Sequence, residues 1–195
     1  MTTGGPCAMF IQTLLSTAAL VLLTELGDKT MVTALCLSAQ SRRPRLVLLV
    51  SLLALLVASF IAVVIGSVLS TTLPLFILVA LSAGMFILLG IATLLRSEDD
   101  VVCAATQPQG AMEMFSLVLF SELGDKSEIA IIALASTSGF PLAVLVGAMI
   151  GFLVVNSVGV LAGDRAAAQL PARFIKYVTG AVFIIFGVLT LLGMV

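Results

Sequence analysis

Two stretches of this chain set charged side chains among long runs of hydrocarbon, and both read alike. Glu25-Leu26-Gly27-Asp28-Lys29-Thr30 is echoed by Glu122-Leu123-Gly124-Asp125-Lys126-Ser127. In each copy Glu and Asp stand three residues apart, so a helix presents both carboxylates on one face, with the Lys at i+4 from the Glu beside them. The second copy adds Glu128 where the first has Met31. An ionised group at the centre of a bilayer costs at least about 2.5 kcal/mol on insertion scales, so such residues must face a cavity or a partner. Hydroxyls of Thr24, Thr30, Ser121 and Ser127 flank the carboxylates, and two other apolar segments contribute Ser59 and Asn156.

This inventory selects a ligand class. The chain has no His, and its cysteines, Cys7, Cys36 and Cys103, lie outside both motifs without metal-ligand spacing. Hard oxygen donors suit Mn²⁺, Ca²⁺ or Mg²⁺ rather than Cu⁺ or a structural zinc. Carboxylates withdrawn from water also accept protons readily, so one site can hold cation and proton in turn. Lys29 and Lys126 can tether a carboxylate in one conformation. Gly27 and Gly124 can let two backbones approach closely, or let the helix unwind and free carbonyl oxygens. In the competing reading, Glu25/Lys29 and Glu122/Lys126 are ion pairs that merely hold helices together. An apolar isostere would often serve that purpose as well, and the presence of the whole set in both copies argues against it.

The elements that carry these motifs follow from composition. Of 195 residues 61% are hydrophobic and 10% charged, too little charge to cover a soluble domain of this size. Several apolar runs exceed the roughly 20 residues that span a hydrocarbon core. They lack two-residue alternation, so they predict helices. Six spans are expected, about Ala8 to Ser38, Leu46 to Leu69, Pro74 to Leu95, Ala111 to Ala135, Leu142 to Gly163 and Ala172 to Met194. The first lacks the positive n-region of a signal peptide and contains an acidic motif, so it reads as an uncleaved span. Glu113 is expected near the interface, and the Glu98-Asp99-Asp100 and Asp164-Arg165 clusters in solvated loops. A net charge of −1 without any Lys/Arg run offers nothing to nucleic acid.

The motif is one part of a longer repeat. A shift of 97 positions superposes both copies and also pairs Pro44 with Pro141, Gly66 with Gly163, Leu73-Pro74 with Leu170-Pro171 and Gly90 with Gly187. Residues 1–95 and 111–195 therefore read as two three-helix repeats joined by an acidic cytoplasmic linker, 96–110. Three spans per half put the second half into the membrane upside down, the all-α inverted-repeat architecture that places a transport site at the repeat interface near the midplane. With the N-terminus outside, the inner loops hold Arg42, Arg43, Arg45, Arg96, Arg165, Arg173 and Lys176, while the outer loops hold no Lys or Arg. The positive-inside rule then places both termini on the outer side.

The doubled Glu-x-Gly-Asp-Lys/Arg-Thr/Ser motif resembles the signature of the GDT-type Ca²⁺/Mn²⁺:H⁺ antiporters of the lysine-exporter superfamily. The resemblance covers essentially the whole chain, and its compact form is most similar to the bacterial manganese exporters. It implies a multi-pass protein of a bacterial-type inner membrane that exchanges Mn²⁺, or Ca²⁺, for H⁺ without a resident cofactor. Glu25, Asp28, Glu122 and Asp125 would ligate the cation, and Thr30 and Ser127 would complete its shell or shape its path. Gly27, Gly124, Lys29, Lys126, Ser59, Asn156 and Glu128 would support or gate the site. Membrane lipid and the cation are the expected partners, and a homo-oligomer is compatible with this reading. Three alternatives remain open: an exporter of another solute, a passive cation channel, and an intramembrane aspartyl protease built on Asp28 and Asp125. The last lacks the Gly-x-Gly-Asp arrangement of that family.

Overall fold

The computed structural model describes residues 5–25, 43–95, 110–167 and 172–193, with side chains for all of these except 161–176. Seven helices make up the described residues: α1 (Pro6–Glu25), α2 (Pro44–Thr72), α3 (Leu75–Leu95), α4 (Ala111–Glu122), α5 (Lys126–Thr137), α6 (Pro141–Ala167) and α7 (Ala172–Leu191). Proline sets several starts. Pro44 and Pro141 occupy the first turns of α2 and α6, and Pro74 precedes α3, where its missing N–H costs no helical hydrogen bond.

Four helices, α1, α2, α3 and α6, are long and apolar enough to cross a membrane. The expected fourth span differs from the prediction. It is broken at Leu123-Gly124-Asp125 into α4 and α5, each 12 residues long. The fifth also differs, since α6 continues through Gly163-Asp164-Arg165 to Ala167 where a loop was expected. Helical hydrogen bonding does not stop where hydrophobicity does.

The polarity of the bundle is inside out. Leu49, Leu53, Phe60, Phe76, Leu88 and Phe120 are exposed on its surface, while Glu25, Glu122, Glu128 and Asn156 are buried. An exterior of hydrocarbon around an interior of carboxylates suits a lipid solvent. The core is built from six of the seven helices, with Leu20, Leu55, Phe86, Ile131, Phe152 and Phe183 among its buried members.

Packing between the halves is reciprocal. α3 packs chiefly on α7, α1 on α6, and α4 on α2. Phe86 and Phe183, equivalent under the 97-residue shift, stack with ring centroids 6.3 Å apart. A Cβ on Gly90 would meet the Gly180 carbonyl at 2.8 Å, and one on Gly187 would meet that of Ala83 at 3.0 Å. Gly90 and Gly187 are repeat equivalents, as are Ala83 and Gly180. Such i-to-j and j-to-i contacts are the pattern a two-fold relation produces. Small residues let these backbones close to distances that side chains forbid, the means by which helices associate in lipid.

Candidate cation site

Glu25 is the last described residue of α1, Glu122 the last residue of α4, and Asp125 the residue immediately before α5. Three helices thus bring these side chains together. One carboxylate oxygen from each of Glu25, Glu122 and Asp125 lies within 4.8 Å of the other two. Glu25 and Glu122 are buried and Asp125 is half-buried.

The break that creates this arrangement is local. Gly124 has φ +87°, a left-handed conformation that ends α4, and the Asp125 N–H turns back to donate to the Glu122 carbonyl at 2.9 Å. A Cβ on Gly124 would meet nothing within 4 Å. Of the two roles expected for this glycine, unwinding is therefore the one the structure displays, and close approach is not. Without the break, Glu122 and Asp125 would sit stacked one turn apart on a continuous helix. The negative dipole end of α4 and the positive end of α5 meet at this break and largely offset each other, so the carboxylates themselves set the local charge.

The other residues singled out from sequence are placed as follows. Ser127 and Glu128 are buried in the first turn of α5. Ser59 on α2 donates to Glu128 Oε1 at 3.0 Å, while Glu128 Oε2 and Ser127 Oγ have no hydrogen-bond partner among the described residues. Asn156 is fully buried on α6, its Nδ2 donating to the Phe152 carbonyl at 2.9 Å and its Oδ1 without a partner among the described residues. Lys126 opens α5 and is half-buried. Gly27, Asp28, Lys29 and Thr30 lie outside the described residues.

Two hydroxyls expected around the carboxylates donate within their own helices. Ser121 is exposed and donates to the Val118 carbonyl at 2.8 Å. Thr24 is buried but donates to the Leu20 carbonyl at 2.9 Å within its own helix. Glu113 is exposed, as expected of an interfacial residue.

Sequence reasoning passed over two residues that brace the site helices. Thr179 on α7 donates to the Leu23 carbonyl near the end of α1 at 3.3 Å. Ser82 on α3 donates to the Ala133 carbonyl of α5 at 3.4 Å and meets Ser136 Oγ at the same distance. Ser82 and Thr179 are related by the 97-residue shift. Two hydroxyls at equivalent positions in apolar runs were a readable signal.

Three carboxylates this close repel one another by about 3 kcal/mol per pair at an effective dielectric of about 20. The cluster is therefore a place for a cation or for protons. An all-helical bundle with an apolar exterior and an acidic cluster at a broken helix defines a polytopic membrane protein of the ion-handling kind.

Comparison with known proteins sharpens that class. The family model described as "Divalent cation/proton antiporter GDT1" matches residues 13–101 and 110–195, and the chain belongs to this family of transporters. A chloroplast protein of Arabidopsis thaliana, "Protein PAM71-homolog", is 31% identical over 97% of this chain and 63% of its own length. "GDT1-like protein 2", a chloroplast protein of Oryza sativa subsp. japonica, is 30% identical over 89% of this chain and 59% of its own length. A Vibrio cholerae protein named "Putative manganese exporter" is 29% identical over 87% of this chain and 86% of its own length. The chain thus spans about three fifths of the length of these two plant relatives. No solved structure matches at a significant level. Membership in a transporter family sets aside the protease reading.

Proposed function

We propose that this protein is a secondary antiporter that exports Mn²⁺ from the cytoplasm in exchange for protons, with Ca²⁺ a second cargo. The observation that carries the reading is the three-carboxylate cluster, assembled from three helices at a broken span inside an apolar bundle. Glu25, Glu122 and Asp125 ligate the cation, and Asp28 completes the set by repeat equivalence with Asp125. When the cation leaves, mutual repulsion among the carboxylates is relieved by protons, so one site carries both species alternately. Oxygen donors of this kind accept Mn²⁺ and Ca²⁺ alike. The manganese named in the Vibrio cholerae relative favours Mn²⁺.

The architecture is six spans in two inverted three-helix repeats, with α4 and α5 together forming the fourth span. The reciprocal contacts of Phe86 with Phe183, and of Gly90 and Gly187 with the facing helices, support it. Such a pair of halves can exchange conformations and open the site to either side in turn. Both termini face outward in a bacterial-type inner membrane.

The test uses everted vesicles, which should take up Mn²⁺ and release protons in step. Glu25→Gln and Asp125→Asn should abolish both fluxes while the purified proteins keep their helical circular dichroism. Mn²⁺ uptake that continues unchanged after the proton gradient is collapsed would refute the coupling.

A further inference from the structure

A cavity of about 270 Å³ opens at the end of the bundle where α1 and α3 begin and α5 and α7 end. Among the described residues its lining carries no ionisable side chain, but Gln12, Thr13, Ser16, Thr137, Ser138 and Thr190 put oxygen around it, with Leu134 also on its wall. The hydroxyls are oriented. Ser16 donates to the Thr13 carbonyl at 3.1 Å, Thr137 to that of Ala133 at 2.9 Å, and Thr190 to that of Phe186 at 2.7 Å. Each has given its proton to its own helix, so what remains toward the cavity is lone pairs. Ser138 Oγ likewise accepts the Phe140 N–H at 3.3 Å. Gln12 and Thr13 add N–H and O–H groups to these oxygens, so the wall is neutral and mixed, fit to meet the hydration water of an ion.

The cavity and the carboxylate cluster share two helices. Ser16 precedes Glu25 by nine residues on α1, and Leu134 follows Asp125 by nine along α5. At 1.5 Å per residue both spacings are about 13 Å. Between them Leu20, Val21, Ile131 and Leu134 close up with Phe86 and Phe183, all of them no more than 1% exposed. An apolar plug thus separates an anionic site from a neutral, oxygen-lined cavity.

We infer that this cavity is the release vestibule for a hydrated divalent cation, and that the plug is the barrier the cation crosses to reach it. The inference rests on the transport reading above. A neutral wall of hydroxyl and amide groups binds a divalent ion far more weakly than three carboxylates do, which suits a station the ion must leave.

Cysteines at Ser16 and Thr137 test it, in a background with Cys7→Ser, Cys36→Ser and Cys103→Ser. Intact cells loaded with Mn²⁺ are treated from outside with a membrane-impermeant, cationic methanethiosulfonate, and Mn²⁺ efflux is followed. Modification of Ser16→Cys or Thr137→Cys should cut efflux at least tenfold, and external Mn²⁺ should slow the reaction. Leu15→Cys, one residue away but 61% exposed on the apolar surface, should leave efflux unchanged. Leu134→Ala, which thins the plug, should admit a Mn²⁺ leak that persists without a proton gradient. Full efflux after complete modification at both positions would overturn the inference, as would reaction from the cytoplasmic face only or no reaction from outside. Absence of efflux from the unmodified wild type would instead refute the transport reading.

Discussion

Replacing Gly124 by Ala isolates the energy that holds the helix break at the candidate cation site open. The added methyl meets nothing within 4 Å, so neighbouring atoms contribute no clash. The whole cost comes from placing an L-residue at φ +87°, about 1–2 kcal/mol for the left-handed region. The chain can relieve that strain by closing the break, which would set Glu122 and Asp125 on a continuous helix and pull their oxygens out of the cluster with Glu25. Since about 1.4 kcal/mol is a factor of ten, Mn²⁺ affinity should fall about tenfold. Asn enters the left-handed region more readily than Ala, so Gly124→Asn should lose less. Gly84→Ala provides the control, because Gly84 lies inside α3 with open space around its Cβ and should gain about 0.5–1 kcal/mol in helix stability. Titration calorimetry of Mn²⁺ into the three purified variants, with their thermal midpoints, measures both quantities. Wild-type affinity in Gly124→Ala, or a larger loss in Gly124→Asn than in Gly124→Ala, would refute the reasoning.

Three further outcomes are expected. Glu122→Gln removes one charge from the cluster and should weaken Mn²⁺ binding by more than tenfold in the same calorimeter, with little change in thermal midpoint. Ser59→Ala leaves buried Glu128 without its 3.0 Å hydrogen bond and should cost about 1–3 kcal/mol. A double-mutant cycle with Glu128→Gln should return a coupling of similar size, and additive losses would mean that the two side chains act independently. Gly90→Ala forces a methyl to 2.6 Å from Ile184 Cγ1 and 2.8 Å from the Gly180 carbonyl. The side chain can move and the carbonyl cannot, so denaturation should show a loss of about 1–3 kcal/mol.

Much of the candidate site was legible because charge in hydrocarbon is conspicuous. Glu25, Glu122 and Asp125 stand out by type alone, although Glu122 and Asp125 meet across a helix break rather than on the common helical face the spacing predicts. Sequence could not decide between the two uses of Gly124, since close approach depends on a neighbouring backbone that no local pattern reveals. Ser121 was misplaced for a reason helix geometry contains: a residue next to Glu122 projects about 100° around the axis from it. The bond between Ser59 and Glu128 joins α2 to α5 across 69 positions, a pairing with no local trace. At the end of α6, the charges of Asp164 and Arg165 marked where apolar burial stops, whereas the helix itself continues to Ala167.

The Ser59–Glu128 hydrogen bond also makes the two halves unequal. In the first half, Met31 stands where Glu128 stands in the second, and Asn156, the counterpart of Ser59, donates within its own helix. A carrier made of two identical halves would divide its idle time evenly between the two sides of the membrane. One hydrogen bond between the halves that the repeat does not duplicate, at a net of about 1 kcal/mol, tilts that division about fivefold. Under the proposed exchange mechanism, the unloaded protein then has a preferred side on which to wait.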